Sequence, residues 1–546
     1  MSMSASTPPA STPNTSSPSP IVLANGDGEL WWGGAVADGM AMPFGAAGTA
    51  HRDLATNAGF AHQATDGANQ SAPVLVSNRG RVVWSERPFT FTIRPEELTF
   101  EAGIDGATIE ISQASEPSLR GAFLEATRHF PPTGATPAIE LFTGPQYNTW
   151  IEMPWTPNQE AVLAYARRIL DSGLPPGVLM IDDNWAPDFG DWQFDTRRFP
   201  DAAAMVTELH SLGFHVMVWI VPFVSPDSAI FRDLAARDLL LKDHSGAVAI
   251  RQWWNGHSAV LDVTNPATID YLDGVLRTLM TTTGIDGFKF DAGDLRDYVI
   301  GDQHANGSLP ADPAQAWALF GATFGFNEFR ASWKVGGQAL AQRLHDKPTT
   351  WEALRSLIPE GIAQGLTGHA FICPDMIGGG DVGAFAAGAE IDQEQFVRYA
   401  QVAALFPMTQ FSLSPARVLD PDHLTAVKVA LDLRALLLPE ILDLVEHAAR
   451  TGEPILRPLA YHYPGLEHVN DQFLLGEDIL VAPVQTKGAT ERRVVIPPGQ
   501  WRAIEQHSET HVPDGEAHLP GNGVLSNTIV TLPVTLTTLP TYRRIG

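Results

Sequence analysis

The spacing of apolar positions changes three times along the chain. From residue 21 to about 125, short runs such as Pro73-Val74-Leu75-Val76-Ser77, Arg81-Val82-Val83-Trp84 and Phe89-Thr90-Phe91-Thr92-Ile93 are separated by Gly, Asn and Pro. Such runs between turn formers predict β-strands, and a succession of them predicts a sandwich. From about 135 to 435, strand-like runs alternate with amphipathic helical ones. A strand at 147–153 precedes a helix at 159–172, one at 178–181 a helix at 201–212, and one at 215–221 a helix near 228–237. A helix at 267–282 leads into a strand ending at residue 290. Further on come a helix around 351–366, a strand at 369–373, a helix at 393–405 and a strand at 408–413. This rhythm predicts parallel strands with helical crossovers, and roughly 300 residues suits a (β/α)8 barrel with insertions. Strands return after Pro458, at 473–475, 479–481, 492–496, 529–532 and 534–538. The expected organisation is an α/β chain: a disordered tail (1–20), an N-terminal β-sandwich domain (21–130), a (β/α)8 TIM barrel (131–440) and a C-terminal β-sandwich domain (441–546).

Composition narrows the function classes. At 546 residues the chain exceeds one hydrophobic core. Its formal charge of −27 disfavours nucleic acid, whose phosphates call for Lys and Arg. Cys373 is the single cysteine, so neither an intrachain disulfide nor a Cys-based metal cluster can form. The first 20 residues are mostly Ser, Thr, Pro and Ala, lacking the basic start and apolar core of a signal peptide. No run of about 18 apolar residues occurs, so no membrane span is expected. A cytoplasmic location is the default expectation, and a homo-oligomer is compatible with the chain.

Chemistry concentrates at the ends of two predicted strands. Gly287-Phe288-Lys289-Phe290-Asp291-Ala292-Gly293-Asp294 delivers Asp291 to a C-terminal strand end, and Val178-Leu179-Met180-Ile181-Asp182-Asp183 does the same for Asp182 and Asp183. In a β/α barrel that end carries the chemistry. Glycoside hydrolysis needs one carboxylate to attack or support the anomeric carbon and another to protonate the leaving oxygen. Lys289 lies two residues before Asp291, on the same side of the strand, placed to hold it ionised or to bond a sugar hydroxyl. A strand-end Asp also caps a following helix, and Asp182-Asp183 also suits an Asx turn. Both structural readings stand beside the chemical ones. Trp150, Trp155, Trp185, Trp192, Trp219, Trp253, Trp254, Trp317, Trp333 and Trp351 are many indoles for one barrel. Indole faces stack on pyranose rings, although a lone Trp is more often core. His345-Asp346 falls in a charged loop, Gln342-Arg343-Leu344-His345-Asp346-Lys347-Pro348, ahead of the helix at 351, where an acid/base group could reach over a glycosidic oxygen or simply be solvated.

In combination these motifs resemble glycoside hydrolase family 31. The resemblance runs from about 140 to 420 through Asp182-Asp183-Asn184-Trp185, Asp195-Thr196-Arg197-Arg198-Phe199-Pro200-Asp201, Val218-Trp219-Ile220-Val221-Pro222, Asp262-Val263-Thr264-Asn265-Pro266, Lys289-Phe290-Asp291-Ala292-Gly293-Asp294 and Pro374-Asp375-Met376-Ile377-Gly378-Gly379. It implies Asp291 as nucleophile, Asp346 as acid/base, and Asp182 and Trp219 as sugar contacts. Three family features are replaced. Ala331-Ser332-Trp333-Lys334 stands where an Arg-Ser pair is usual, Cys373-Pro374 where a His precedes Asp375, and Gln410-Phe411-Ser412 where Arg-x-His is usual. The altered set looks like the small subgroup containing bacterial α-galactosidases and the myogenesis-regulating glycosidase.

The resemblance implies a retaining exo-acting α-galactosidase with a carbohydrate substrate and neither cofactor nor metal. The implied substrate contacts are Asp182, Asp183, Trp219, Trp254, Lys289, Asp294, Trp333, Arg343, Cys373 and Asp375. Asp183, Cys373 and a Trp would face an axial O4, and Trp31-Trp32 is expected to lend a loop to the pocket. Asp346 is expected to carry a raised pKa and Asp291 to stay ionised. The alternatives are an α-glucosidase or α-xylosidase, a metal-dependent hydrolase using Asp182, Asp183, Asp291 and Asp294, and a silent sugar-binding protein.

Overall fold

The computed structural model describes residues 19–54, 69–103, 108–381, 391–505 and 525–545. All but the last two residues of the expected tail lie outside them.

Eight parallel strands form the centre: β1 (Gln146–Asn148), β2 (Val178–Ile181), β3 (His215–Ile220), β4 (Gly287–Phe290), β5 (Phe326–Phe329), β6 (Gln342–Arg343), β7 (Ile372–Cys373) and β8 (Gln410–Phe411). They pair in chain order from β1 to β7, and β8 pairs back on β1. A parallel bridge between Ile377 and Phe411, with the Met408 N–H donating to Ile372 O at 3.2 Å, spans the remaining gap. The expected TIM barrel is therefore present and nearly closed.

β2 (VLMI) and β4 (GFKF) are buried at every position, as barrel strands sheathed by helices must be. A charged residue placed in such a strand has to find its partner inside, which is the situation of Lys289. The crossover helices start where their sequences provide caps. Asn158, Asp201 and Asn265 accept from backbone N–H groups at the starts of Gln159–Asp171, Ala202–Ser211 and Pro266–Thr283.

On the N-terminal side, two antiparallel arrays face one another. One contains Ile21–Ala24, Glu97–Ala102, Phe89–Ile93 and Ala50–Asp53. The other contains Trp31–Ala35, Gln70–Ser77, Arg81–Ser85 and Ile109–Gln113. Trp31 and Trp32 are buried in this region's core, with the Arg81 guanidinium over Trp31, so they do not line the pocket as expected. Contact with the barrel includes Ser332–Trp333, just beyond β5, which pairs in parallel with Gln70 and Ser71, and Gly39, which packs against the backbone of Glu360. The C-terminal region carries a five-stranded and a two-stranded sheet.

Several elements differ from the sequence reading. Gln342-Arg343, read as part of a charged loop, is strand β6. It is too short and polar to show a period, and takes its register from Phe329 and from Ile372-Cys373. The helix Asp312–Gly321 and strand β5 had not been anticipated. The last strand is Thr541–Arg544, not 534–538. The helix Pro421–Thr451 runs across the boundary drawn at 440 and stops at Gly452, whose φ of 76° is the left-handed cap that glycine accepts. Among the described residues, no helix is long and apolar enough to cross a membrane.

Candidate active site

Because the strands are parallel and in register, residues just past their ends converge on one mouth. Asp182 follows β2, Asp291 follows β4, Arg330 follows β5, Asp346 lies three residues past β6, and Asp375 two past β7. β3 pairs Trp219 with Lys289 of β4.

Asp291 is gripped from several sides. The Trp219 indole N–H donates to its Oδ2 at 2.8 Å, and the Ala292 N–H to its Oδ1 at 2.8 Å. Arg330 Nε lies 3.0 Å from Oδ1, and Lys289 Nζ 4.0 Å from Oδ2. Ala292 accepts a φ of 51°, an uncommon conformation for a residue with a Cβ and a cost of about 1–2 kcal/mol. The tight turn it makes aims the carboxylate. Burial pushes the Asp291 carboxyl up, but Arg330, Lys289 and Arg343 together outweigh burial and hold it well below the usual range. It is ionised at neutral pH, as a nucleophile must be.

Lys289 donates to Asp182 Oδ2 at 2.7 Å, both groups being buried. Removing one member of such a pair leaves the other charge uncompensated, at about 3–5 kcal/mol. Lys289→Met is therefore expected to lower stability on that scale and to shift the acid limb of kcat/KM to higher pH, read from melting curves and a pH–rate profile. The sign follows from Asp291. Its depressed pKa contributes stability that is present above the ordinary carboxylate range and lost as pH falls toward the folded value, and removing a cation narrows that interval.

Asp346 faces Asp291 across Arg330. Arg330 Nη1 lies 3.3 Å from Asp346 Oδ2, and Arg343 Nη1 donates to Oδ1 at 2.9 Å. Its side chain is 36% exposed, against 9% for Asp291. Burial raises the Asp346 carboxyl, yet Arg343 and Arg330 prevail and the pKa lies below the ordinary value. This reverses the expected raised pKa, because two guanidiniums contact the carboxylate. Gly380 packs directly behind. A Cβ there would sit 2.7 Å from the Asp346 Cβ, so only glycine leaves the carboxylate its place.

Arg330 is the residue the sequence reading missed. It binds Asp291, Asp346 and, through Nη2 at 3.1 Å, Asp294, while its guanidinium lies 4.8 Å from the centre of the Trp254 ring. The signal was its location one residue past β5, the same strand-end position that carries Asp182 and Asp291. It directly precedes Ala331-Ser332, the stretch that stands where an Arg-Ser pair is usual.

The remaining candidates divide by depth. Asp183 accepts from Asn255 Nδ2 at 2.6 Å and, with Trp185, Phe189, Trp192, Trp219 and Ser225, lines a pocket of about 120 Å³ at the mouth. Burial, with help from Asp182 and Asp291, pushes its carboxyl up to about 6 against the hydrogen bond from Asn255. Arg343 and Asp375, expected on the pocket wall, lie behind Asp346. Arg343 Nη1 donates to Asp375 Oδ1 at 2.5 Å, and both side chains are enclosed. Asp294 is likewise enclosed between Arg330 and Asn69. Cys373 has no exposed surface, because it sits in a barrel strand, and Trp333 is buried in the strand that joins the N-terminal sheet. As placed, these five would act on a sugar through the residues in front of them. The four carboxylates of the metal reading do not converge as free oxygen ligands. Asp182 is paired with Lys289, and Asp291 and Asp294 with Arg330.

Two family models match the chain: the glycosyl hydrolases family 31 TIM-barrel domain over residues 144–444 and the family 31 C-terminal domain over 452–546. The chain belongs to glycosyl hydrolase family 31. Within that family it is 35% identical over 394 residues to the myogenesis-regulating glycosidase of Mus musculus, covering 69% of this chain and 55% of that protein. It is 25% identical over 409 residues to alpha-glucosidase 2 of Bacillus thermoamyloliquefaciens, covering 69% and 50%. The chain thus spans about half the length of these curated relatives. A family 31 dextranase of Flavobacterium johnsoniae, solved with glucose, superposes with a TM-score of 0.80 over 96% of this chain and 66% of its own. At 18% identity that likeness is one of fold.

Proposed function

We propose that this family 31 member is a retaining exo-acting α-glycosidase with a preference for α-linked galactose. The observation that carries the hydrolase reading is Arg330, whose one guanidinium contacts both Asp291 and Asp346 and so holds the two carboxylates close to one another at the barrel mouth. In the first step an Asp291 oxygen attacks C1, the glycosidic C–O bond breaks, and Asp346 passes a proton to the departing oxygen. In the second, Asp346 takes a proton from water as its oxygen attacks C1, and the bond to Asp291 breaks. Retention calls for carboxyl groups about 5–5.5 Å apart, too close for a water to enter behind the sugar. For Asp346 to enter the first step protonated, its contacts with Arg343 and Arg330 must both loosen when sugar arrives, so that burial can prevail.

The galactose preference is supported by the far side of the barrel. Gln410, where family members usually place cationic groups for equatorial hydroxyls, spends its amide on Glu328 and, at 2.7 Å, on Gln146. Neither Gln410 nor Ser412 brings a cation of its own there. A panel of nitrophenyl α-glycosides tests the preference. Turnover of the galactoside above the glucoside and xyloside is expected, and the reverse order would assign the chain to the glucosidase or xylosidase alternative.

Asp183 gives a pH signature. Its carboxyl accepts from hydroxyls more strongly when ionised, which requires pH above about 6. Affinity for sugar is expected to weaken as pH falls through that value, and Asp183→Asn is expected to abolish that ionisation in a titration of KM or of an inhibitor constant.

A further inference from the structure

Behind Arg330 and Arg343, the barrel is completed by a segment more than 250 residues away in sequence. Gln70, on the N-terminal strand Gln70–Ser77, is buried. Its Nε2 donates one hydrogen to the carbonyl of Arg330 at 2.8 Å and the other to the carbonyl of Arg343. Its Oε1 accepts from Gln364 Nε2. One side-chain amide thus fastens the ends of β5 and β6, the two strands whose arginines hold Asp346 from either side. The neighbouring Asn69 donates through Nδ2 to Asp294 Oδ1 at 3.0 Å, leaving Oδ2 to Arg330. The backbone joins in as well: Ser332 N–H donates to Asn69 O at 2.7 Å, and Lys334 N–H to Ser71 O at 3.0 Å.

Gln364 belongs to the helix Trp351–Leu366, and Glu360 lies four residues before it on the same face. The Glu360 carboxylate pairs with Lys347 and lies 3.1 Å from His345 Nε2, so it holds the residues on both sides of Asp346. One helix face therefore fixes the acid-bearing segment twice, directly through Glu360 and, through Gln70, by way of the N-terminal region.

We infer that Asn69 and Gln70 are positioning residues for the acid/base step, so that the N-terminal β-region is a working part of the active site and not an appendage. This rests on the glycosidase reading above. Without Asn69, the free oxygen of Asp294 competes for Arg330. Without Gln70, two buried carbonyls lose their donor and the ends of β5 and β6 are released. Either change displaces Asp346 from the leaving oxygen while Asp291 keeps its contacts with Trp219 and the Ala292 N–H. A displacement of about 1 Å is enough to cost a reaction on the order of 100-fold.

The test separates proton donation from general damage. Asn69→Ala and Gln70→Ala in the full chain are assayed on phenyl α-galactoside, which needs an acid, and on α-galactosyl fluoride, whose leaving group needs little help. Should the nitrophenyl panel select another sugar, the corresponding pair is used. The expected result is a loss of roughly tenfold or more in kcat/KM on the phenyl glycoside with the fluoride changed by less than about twofold. Proportional losses on both substrates, or none on either, would overturn the inference. Should the buried Gln70→Ala chain fail to fold by circular dichroism, the half-buried Asn69→Ala decides alone. Asp291→Ala is run alongside. If it retains turnover, the reading of the site itself is wrong. If it is inactive while both variants match the wild type, only the positioning role falls.

Discussion

Asp291→Ala is expected to lower turnover of an aryl α-galactoside by roughly 10⁴-fold or more, the scale on which an essential nucleophile fails when removed. The loss should be nearly independent of the leaving group, because without the carboxylate no covalent sugar forms. Adding azide to this variant with α-galactosyl fluoride is expected to return activity and to yield the β-azide, the small anion entering from the face that Asp291 occupied. The chain should remain folded. Relieved of Asp291, Arg330 still has Asp294 and Asp346, and Lys289 still has Asp182. Nuclear magnetic resonance of the product identifies the anomer. Wild-type turnover in the variant, or an α-azide, would contradict the assignment.

Asp346→Ala is expected to behave differently, and the difference is the informative part. A general acid contributes about 10²- to 10⁴-fold, and a leaving group that departs unaided needs none of that. Turnover of phenyl α-galactoside should fall by that range, while α-galactosyl fluoride should still transfer its sugar to Asp291 and stall there for want of a base. Azide should then release the α-azide, with retention. The wild-type pH profile has a further consequence. With Arg343 and Arg330 in contact, Asp346 in the empty enzyme titrates below the ordinary carboxylate value, whereas kcat reports it with sugar in place. The basic limb of kcat is expected at higher pH than that of kcat/KM. Coincident limbs would mean that sugar binding does not loosen the Arg343 and Arg330 contacts.

Much of this site was legible in sequence for a simple reason: parallel strands expose their C-terminal ends, and residues one step past an apolar run are forced to the mouth. Asp182 and Asp291 announce themselves in that way, and β2 and the C-terminal end of β4 lie where the sequence places them. Arg330 obeys the same rule but follows Phe326-Asn327-Glu328-Phe329, a strand with two buried polar residues and no apolar run to mark it. β6 was lost for a related cause. Its two residues, Gln342 and Arg343, are polar and wholly buried, and the burial of Arg343 is balanced by charges from other strands rather than by a local pattern. Glu328 and Asp375 supply those charges to Arg343.

Depth was harder to read than direction. Cys373, Asp375 and Arg343 were expected to face sugar because they border conspicuous motifs, yet they back the carboxylates instead. Electrostatic sign was also hidden. The expected raised pKa of Asp346 presumed burial alone, and two arginines brought by separate strands reverse it. Nothing near residue 346 in sequence marks Gln70 or Asn69, whose contacts exist only once the N-terminal sheet has docked on the barrel.

The central claim is that Asp291 forms a covalent bond to the sugar while Asp346 serves the leaving group. The most direct measurement is mass spectrometry of peptides from the wild-type protein after incubation with 5-fluoro-α-galactosyl fluoride, in which the ring fluorine slows release of the trapped sugar. One fluorosugar adduct is expected, on the peptide carrying Asp291 and located at that residue by fragmentation. Turnover of the reagent with an adduct on another carboxylate, or with none while the first-formed product is the β-anomer, would contradict it.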